Sequence, residues 1–401
     1  LCPDTGLRPN SVRVYDLWTP VRSNAPDVVT MPQYFRQNGY FSARVGKMFH
    51  QGVPGGIGKP IAADAHDDPA SWDLAINPAG HDKEAEARDL LTNLTPKMPM
   101  GVAMAYRADD APDEAQTDGM VATRAIELIE SHKDRPFFIA AGFYRPHVPE
   151  VAPAKYFDLY PTVGYRPESK ERRESILPAA RGSVYKYASQ PAQGLSAGQQ
   201  ADFVRSYYAA TSFMDAQVGR VLDALEKSGV ADRTIVVFTS DHGFNLGEHG
   251  LWQKQNLWDQ STRVPLIISD PGARNGGKVS RRLVELVDIY PTLAELAGLP
   301  APARVDGRSL RPLLARPDAS WNFPARSQVG GGQSVRYGNW RYTEWGPNGA
   351  EGAELYDLSR DPGEYRNLAG RPRMRALVSR LKAMLPGDPP PATGRKLPFG
   401  E

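Results

Sequence analysis

The chain has 401 residues, 41% of them hydrophobic, and its 48 basic and 46 acidic side chains leave a net charge of +2. That is the size and make-up of one large α/β domain, or of a large and a small one. The balanced charge and the lack of a basic stripe interleaved with aromatics argue against nucleic-acid binding, no apolar run approaches the roughly 20 residues that span a bilayer, and Cys2, the only cysteine, rules out an intrachain disulfide.

Thr30 is placed to cap a helix with Pro32 in its first turn and Gly39 at its stop. Tyr40 to Gly46 reads as a strand that delivers Lys47 and His50 at its end. Residues 51–113 are rich in Gly, Pro, Asp and Ala, with little periodicity, and read as a long loop region. Thr117 to His132 has helical spacing. Pro136 to Gly142 reads as a buried strand and runs into Phe143-Tyr-Arg-Pro-His147-Val-Pro149. Residues 150–195 look irregular. Ser196 is placed to cap a long helix to about Ser228, with Phe203, Tyr207, Met214, Val218, Val221 and Leu225 as its core-facing stripe.

The β-branched run from Thr234 to Thr239 breaks at Asp241-His242-Gly243. Val264 to Ser269 is another strand, and Asp288 is placed to cap a helix that holds Pro291 and stops at Gly298. Alternation of strand and helix from 41 to 298 implies a largely parallel sheet with helices on both faces. Short strands over 333–345 and 353–358 and an amphipathic helix over 372–385 suggest a small α+β unit. The chain then divides into residues 1–305 and 306–401.

Lys47 with His50, His147, Asp241 with His242, and Lys254 all fall beyond predicted strands or in loops. Open α/β sheets place their chemistry beyond the carboxyl ends of their strands. Taken singly these signals are weak. A lone His is more often structural or exposed, a lone Lys is usually solvated, and Asp-His-Gly is also a turn sequence. Together they describe one kind of place. Asp241 and His242 offer one oxygen and one nitrogen to a divalent cation, which needs at least two further ligands from elsewhere. Lysines and histidines around a cation suit a tetrahedral oxyanion, so sulfate or phosphate ester cleavage is the chemistry the residue types point to. Glu248-His249 reads as a turn pair rather than a ligand pair. His66 with Asp67 and Asp68, His81 and His132 lie in polar contexts and are expected at the surface.

The order of motifs resembles the formylglycine-dependent sulfatases of the alkaline phosphatase superfamily, and within them is most similar to the iduronate-2-sulfatase group. The matching segments include Thr5-Gly-Leu-Arg-Pro-Asn-Ser-Val-Arg-Val-Tyr-Asp16, Val45-Gly-Lys-Met-Phe-His50 and Arg145-Pro-His-Val-Pro149. Thr239-Ser-Asp-His-Gly243, Leu246-Gly-Glu-His-Gly250, Trp252-Gln-Lys254 and Glu354-Leu-Tyr-Asp357 continue the series. The resemblance implies an alkaline-phosphatase-like, mostly parallel sheet with helices on both faces and a small C-terminal α+β subdomain. It implies calcium at Asp241 and His242, with Lys47 and His50 on the nucleophile and His50 helping to release sulfate. It implies that His147 and Lys254 hold the substrate sulfate and that His147 protonates the leaving oxygen. A sulfated carbohydrate substrate, a sulfatase-maturing enzyme that makes formylglycine, and a periplasmic, secreted or otherwise extracytoplasmic location are implied in the same way.

The nucleophile of that family is a Cys in Cys-x-Pro-x-Arg, matured to formylglycine. Cys2 does not match it: Pro3 follows directly and no Arg stands two residues beyond that Pro. The nucleophile and the two adjacent Asp ligands of the family's first strand are expected before Leu1. Two rivals share these motifs. One is a phosphonate monoester or phosphodiester hydrolase of the same superfamily. The other is a non-catalytic sulfatase-like binding protein, should the chain begin at Leu1.

Overall fold

The computed structural model describes residues 2–16, 19–49, 67–169, 171–172, 175–181, 194–273 and 276–387. In chain order, the elements that position the site begin with α1 (Met31–Gln37) and β1 (Phe41–Gly46). They continue with β2 (Leu74–Ile76), α2 (His81–Ala87), β3 (Ala105–Asp109), α3 (Thr117–His132), β4 (Phe137–Gly142) and β5 (Glu150–Pro153). Then come α4 (Ala197–Lys227), β6 (Val236–Thr239), β7 (Leu266–Ser269) and α5 (Ile289–Leu296).

Two helix starts follow from their capping residues. Thr30 Oγ1 accepts a hydrogen bond from Gln33 N at the start of α1. Ser196 and Gln199 form a reciprocal capping box at the start of α4, satisfying donors the helix leaves open. Asp288 behaves otherwise. It makes no side-chain cap to α5, because its carboxylate accepts from the backbone of Glu285 and Arg308, each at 2.8 Å.

β1 lies between β2 and β4, parallel to both, in a register that ends with Gly46 opposite Gly142. Alternate side chains point to opposite faces. Phe138 joins Met31, Phe35, Tyr290 and Leu293 under α1 and α5, whereas Ile139 and Ala141 join Ala43, Val45, Val121 and Leu128 under α3. Helices therefore cover both faces of a parallel sheet.

β6 and β7 depart from the parallel expectation. They pair antiparallel, from Thr239 opposite Leu266 to Val236 opposite Ser269. The connection between them contains only short elements and no crossover helix, so the chain returns from the end at which it left. Residues 240–265 thus stay at the carboxyl end of β6. β4 and β6 are half-buried rather than buried, and Ile267 on β7 is 60% exposed. Among the described residues, β4, β6 and β7 each carry a ladder on one edge only.

The span 67–113 is more ordered than its composition suggests. It holds β2, α2 and β3, and β3 pairs in parallel with β5, which lies in the span expected to be irregular. Tertiary pairing selects these short strands, which are too brief to show a period of two.

The C-terminal subdomain is an antiparallel meander of β8 (Ala325–Val329), β9 (Gly332–Tyr337), β10 (Trp340–Trp345) and β11 (Gly352–Asp357). Helix α6 (Arg375–Lys382) sets Leu381 on Val335, Tyr342 and Leu355. Asp259, in the loop between β6 and β7, ties this sheet to the main one. Its carboxylate pairs with Arg341 and, at 3.0 Å, with Arg336, while Arg341 Nε also lies 2.6 Å from Glu364 Oε1. Removing one partner of a buried ion pair leaves the other charge uncompensated. Asp259→Ala is expected to destabilise the fold by about 3 kcal/mol, read by denaturant unfolding. An unchanged midpoint would show that the arginines find other partners.

Candidate active site

Lys47 leaves β1 where two backbones nearly touch. Gly46 has φ +77°, and a Cβ there would lie 2.2 Å from the Gly142 carbonyl oxygen; one on Gly142 would lie 1.9 Å from that of Lys47. Only glycine fits this approach at both positions. Lys47 N donates to Gly142 O at 2.8 Å, so Lys47 and the segment after β4 emerge side by side. His50 and His66 lie outside the described residues.

That segment carries His147. Its backbone N–H donates to Tyr144 O, and its Nδ1 bonds the Val148 carbonyl at 2.7 Å. A carbonyl only accepts, so Nδ1 bears the proton and Nε2 is the free acceptor of the neutral ring. Burial, with the charges of Lys254 and Lys47, holds the His147 pKa well below its ordinary value.

Asp241 and His242 stand just beyond β6. The His242 Nε2 and Asp241 Oδ2 atoms are 3.4 Å apart, and Asp241 Oδ1 accepts from His242 N at 3.1 Å. His242 Nδ1 donates to Gly243 O at 2.8 Å, again leaving Nε2 as acceptor. Burial lowers the His242 pKa to about 4, and Lys254 and Lys47 add to the effect while Asp241 opposes it. Burial works against ionisation of Asp241. Its side chain nonetheless faces open space, 59% exposed, and His242, Lys47 and Lys254 hold its carboxyl below the usual range. Gly243 closes the turn, because a Cβ there would meet Gln260 O at 2.0 Å.

Lys254 sits between two left-handed residues, Gln253 at φ 65° and Gln255 at φ 77°. Neither is glycine, so the surroundings must enforce the shape. Trp252 is buried against Phe203, Met104 and Val148, and Gln253 Nε2 donates to Val102 O at 2.6 Å. Burial and Lys47 bring the Lys254 pKa down to about 8, against the pull of Asp241 and Glu150.

Lys47, His147, Asp241, His242 and Lys254 therefore lie within one another's electrostatic reach. An ionised carboxylate beside a neutral imidazole with Nε2 free is a donor pair that fits a divalent cation. It is a partial shell, since no group of three or more His, Cys, Asp or Glu gathers among the described residues.

Other polar residues have structural partners. His249 is buried, stacked on Trp258 at 4.1 Å between ring centres, and Glu248 accepts from Leu246 N, so this pair builds a turn. His81, Asp67, Asp68 and His132 are not free at the surface. His81 bonds Asp109 at 2.9 Å, Asp68 pairs with Arg22, Asp67 pairs with Arg44, and His132 stacks on Phe41 at 3.7 Å.

Sequence reasoning missed Glu150. It is fully buried at the start of β5, and neither carboxyl oxygen has a hydrogen-bond partner among the described residues. Burial pushes its pKa up to about 8, although Arg145 and Lys254 pull it back. No periodicity flags such a position, because its meaning comes from what surrounds it.

The fold is alkaline-phosphatase-like, with a cluster of cationic and ligand side chains beyond its strand ends. It aligns over 96% of this chain and 85% of the other, with a TM-score of 0.72 at 20% identity, with a solved structure described in complex with its substrate D-glucosamine-2-N,6-O-disulfate. The sulfatase profile matches residues 5–299, and the profile of the N-sulphoglucosamine sulphohydrolase C-terminal region matches residues 247–387. The chain is 32% identical over 399 residues to a sulfatase of Formosa agariphila, covering 95% of this chain and 75% of that one. It is 33% identical over 357 residues to human iduronate 2-sulfatase, covering 78% of this chain and 62% of that protein. The chain belongs to the sulfatase family of sulfuric ester hydrolases.

The raised pKa of Glu150 makes a stability prediction. Between its ordinary value of 4.5 and about 8, the unfolded chain releases this proton and the folded chain keeps it. Its contribution is therefore full below pH 4.5 and is lost as pH rises through about 8. Glu150→Gln is expected to flatten that decline and to be the more stable form above pH 8. Urea unfolding at about pH 5 and about pH 9 reads the difference; parallel profiles for the two proteins would contradict it.

Proposed function

We propose that the intact enzyme hydrolyses O-sulfate esters, of sugars or of glycosaminoglycan-type uronates, at the cluster built by Lys47, His147, Asp241, His242 and Lys254. The observation that carries this reading is that Lys47 and Lys254 both act on His147 and on the adjacent Asp241 and His242, beyond the ends of β1, β4 and β6. The likeness to human iduronate 2-sulfatase and the sulfated glucosamine named for the solved structure support the substrate class.

Lys47 and Lys254 present ammonium groups to sulfate oxygens, in a partly dehydrated site where such contacts count for more than in water. His147 is neutral in the free protein, with Nε2 ready to accept. An anionic ester bound beside it offsets the lysine charges, so the ring takes up a proton there. From Nε2 it passes that proton to the departing alcohol. Asp241 and His242 would hold a divalent cation, which we take to be calcium. When bound, calcium would supply positive charge for the sulfuryl group, and a formylglycine matured from a cysteine would supply the nucleophile. His50 follows Lys47 closely in the chain and would assist the release of sulfate. A sulfatase-maturing enzyme as partner and an extracytoplasmic location complete the reading. No helix of the described residues is long and apolar enough to cross a membrane.

Turnover of an aryl sulfate against an aryl phosphodiester by the intact enzyme tests the reaction class. The sulfate is expected to be the faster substrate, and preference for the diester would assign the site to phosphoryl chemistry. Asp241→Ala is expected to lose both bound metal and activity, because a hard cation loses a carboxylate. Elemental analysis that found undiminished calcium in this variant would remove Asp241 from the metal site.

A further inference from the structure

The segment that carries His147 forms neither helix nor strand before β5, yet charged groups hold its backbone from beneath. Asp118, in the first turn of α3, accepts from Tyr144 N at 2.8 Å and from Arg145 N at 2.9 Å. The Arg145 side chain then folds back under its own loop. Its Nη1 donates to the carbonyls of His147 at 2.9 Å and Pro149 at 2.5 Å, and its Nη2 to Asp82 Oδ2 at 2.6 Å. Asp82, in the first turn of α2, is itself fixed, because its Oδ1 accepts from both N and Oγ1 of Thr117. Thr117 Oγ1 in turn accepts from Gly80 N at 3.0 Å. Arg145, Asp82 and Asp118 are all buried.

We propose that Arg145 is a positioning residue: its guanidinium, anchored on Asp82, sets the path of residues 145–149 and thereby the place of the His147 ring. The inference rests on the reading of His147 as proton donor to the leaving oxygen. A planar fork with several N–H groups reaches two carbonyls and a carboxylate at once. A lysine ammonium is a point charge on a flexible stem and does not reproduce that fork. Buried charges of this kind cost dehydration and do not by themselves argue for stability. What this one does is join Asp82, in the first turn of α2, to the carbonyls of His147 and Pro149, so that it fixes the backbone at His147 and two residues beyond it.

A clamp that only held the fold would slow every substrate alike. A clamp that aims His147 matters most where the leaving oxygen needs a proton. An alkyl or sugar sulfate leaves as a strongly basic alkoxide unless protonated, whereas nitrophenyl sulfate leaves as a stable phenolate. For Arg145→Lys in the intact enzyme, kcat/KM on the alkyl sulfate is expected to fall about 10²-fold. The loss on nitrophenyl sulfate is expected to be at least about tenfold smaller. Equal losses on the two esters, or no loss on either, would overturn the inference. A parent enzyme inactive on both esters would instead sink the functional reading on which it rests. Should Arg145→Lys fail to fold, Asp82→Asn keeps the two carbonyl bonds and removes the anchoring charge. It is expected to give a weaker loss with the same preference for the alkyl sulfate, and equal losses there would likewise overturn the assignment.

Discussion

Like charges forced together in a partly dehydrated space govern this molecule's site. Lys254 loses proton affinity because burial and Lys47 both act against its ammonium, and His147 and His242 stay neutral for related reasons. Asp241 is the carboxylate that these charges keep ionised, while Glu150 behind them holds its proton. Flexible side chains on one loop would relieve such crowding by moving apart. The cluster instead draws on three segments with different supports: the end of β1 for Lys47, the segment after β4 for His147, and the β6–β7 connection for Asp241, His242 and Lys254. The result is an arrangement whose own repulsion would fall if an anion entered, the property of a site preorganised for negative charge.

The supports are of different physical kinds. Lys47 is aimed by the contact of two glycine backbones at the ends of parallel strands. His147 rides on a buried network of hydrogen bonds and ion pairs. Val148, beside His147, and Trp252, two residues before Lys254, share one apolar cluster with Phe203 of α4. The antiparallel return of β7 keeps Asp241, His242 and Lys254 at one end of the sheet. Packing thus couples segments distant in sequence, and a shift in α4 would be felt at two site residues together.

Much of the fold was legible because its signals are local. Thr30 and Ser196 cap their helices as residues of that type do, and the apolar runs of β1, β4 and β6 are strands. The misses share a cause. Asp288 looked like a cap, but its carboxylate was drawn to the backbone of Glu285 and Arg308, the latter far along the chain. β3 and β5 pair with each other from distant parts of the chain, so neither announces itself alone. His81, His132, Asp67 and Asp68 looked solvated and found partners across the fold. Glu150 and Arg145 acquire their character from burial, which a single sequence does not display.

By itself the sequence determined the family, the longer helices and the strands β1, β4, β6 and β7, and the residue types available for chemistry. Those are properties of composition, of short-range hydrogen bonding and of motifs read in order. Only the tertiary structure decided that Lys47, His147, Asp241, His242 and Lys254 meet, that β7 runs against β6, and which protonation states the site favours. The physical reason is that pairing direction, dehydration and the sum of nearby charges depend on distances in space. Residues 47 and 254 lie far apart along the chain, and folding alone makes them neighbours.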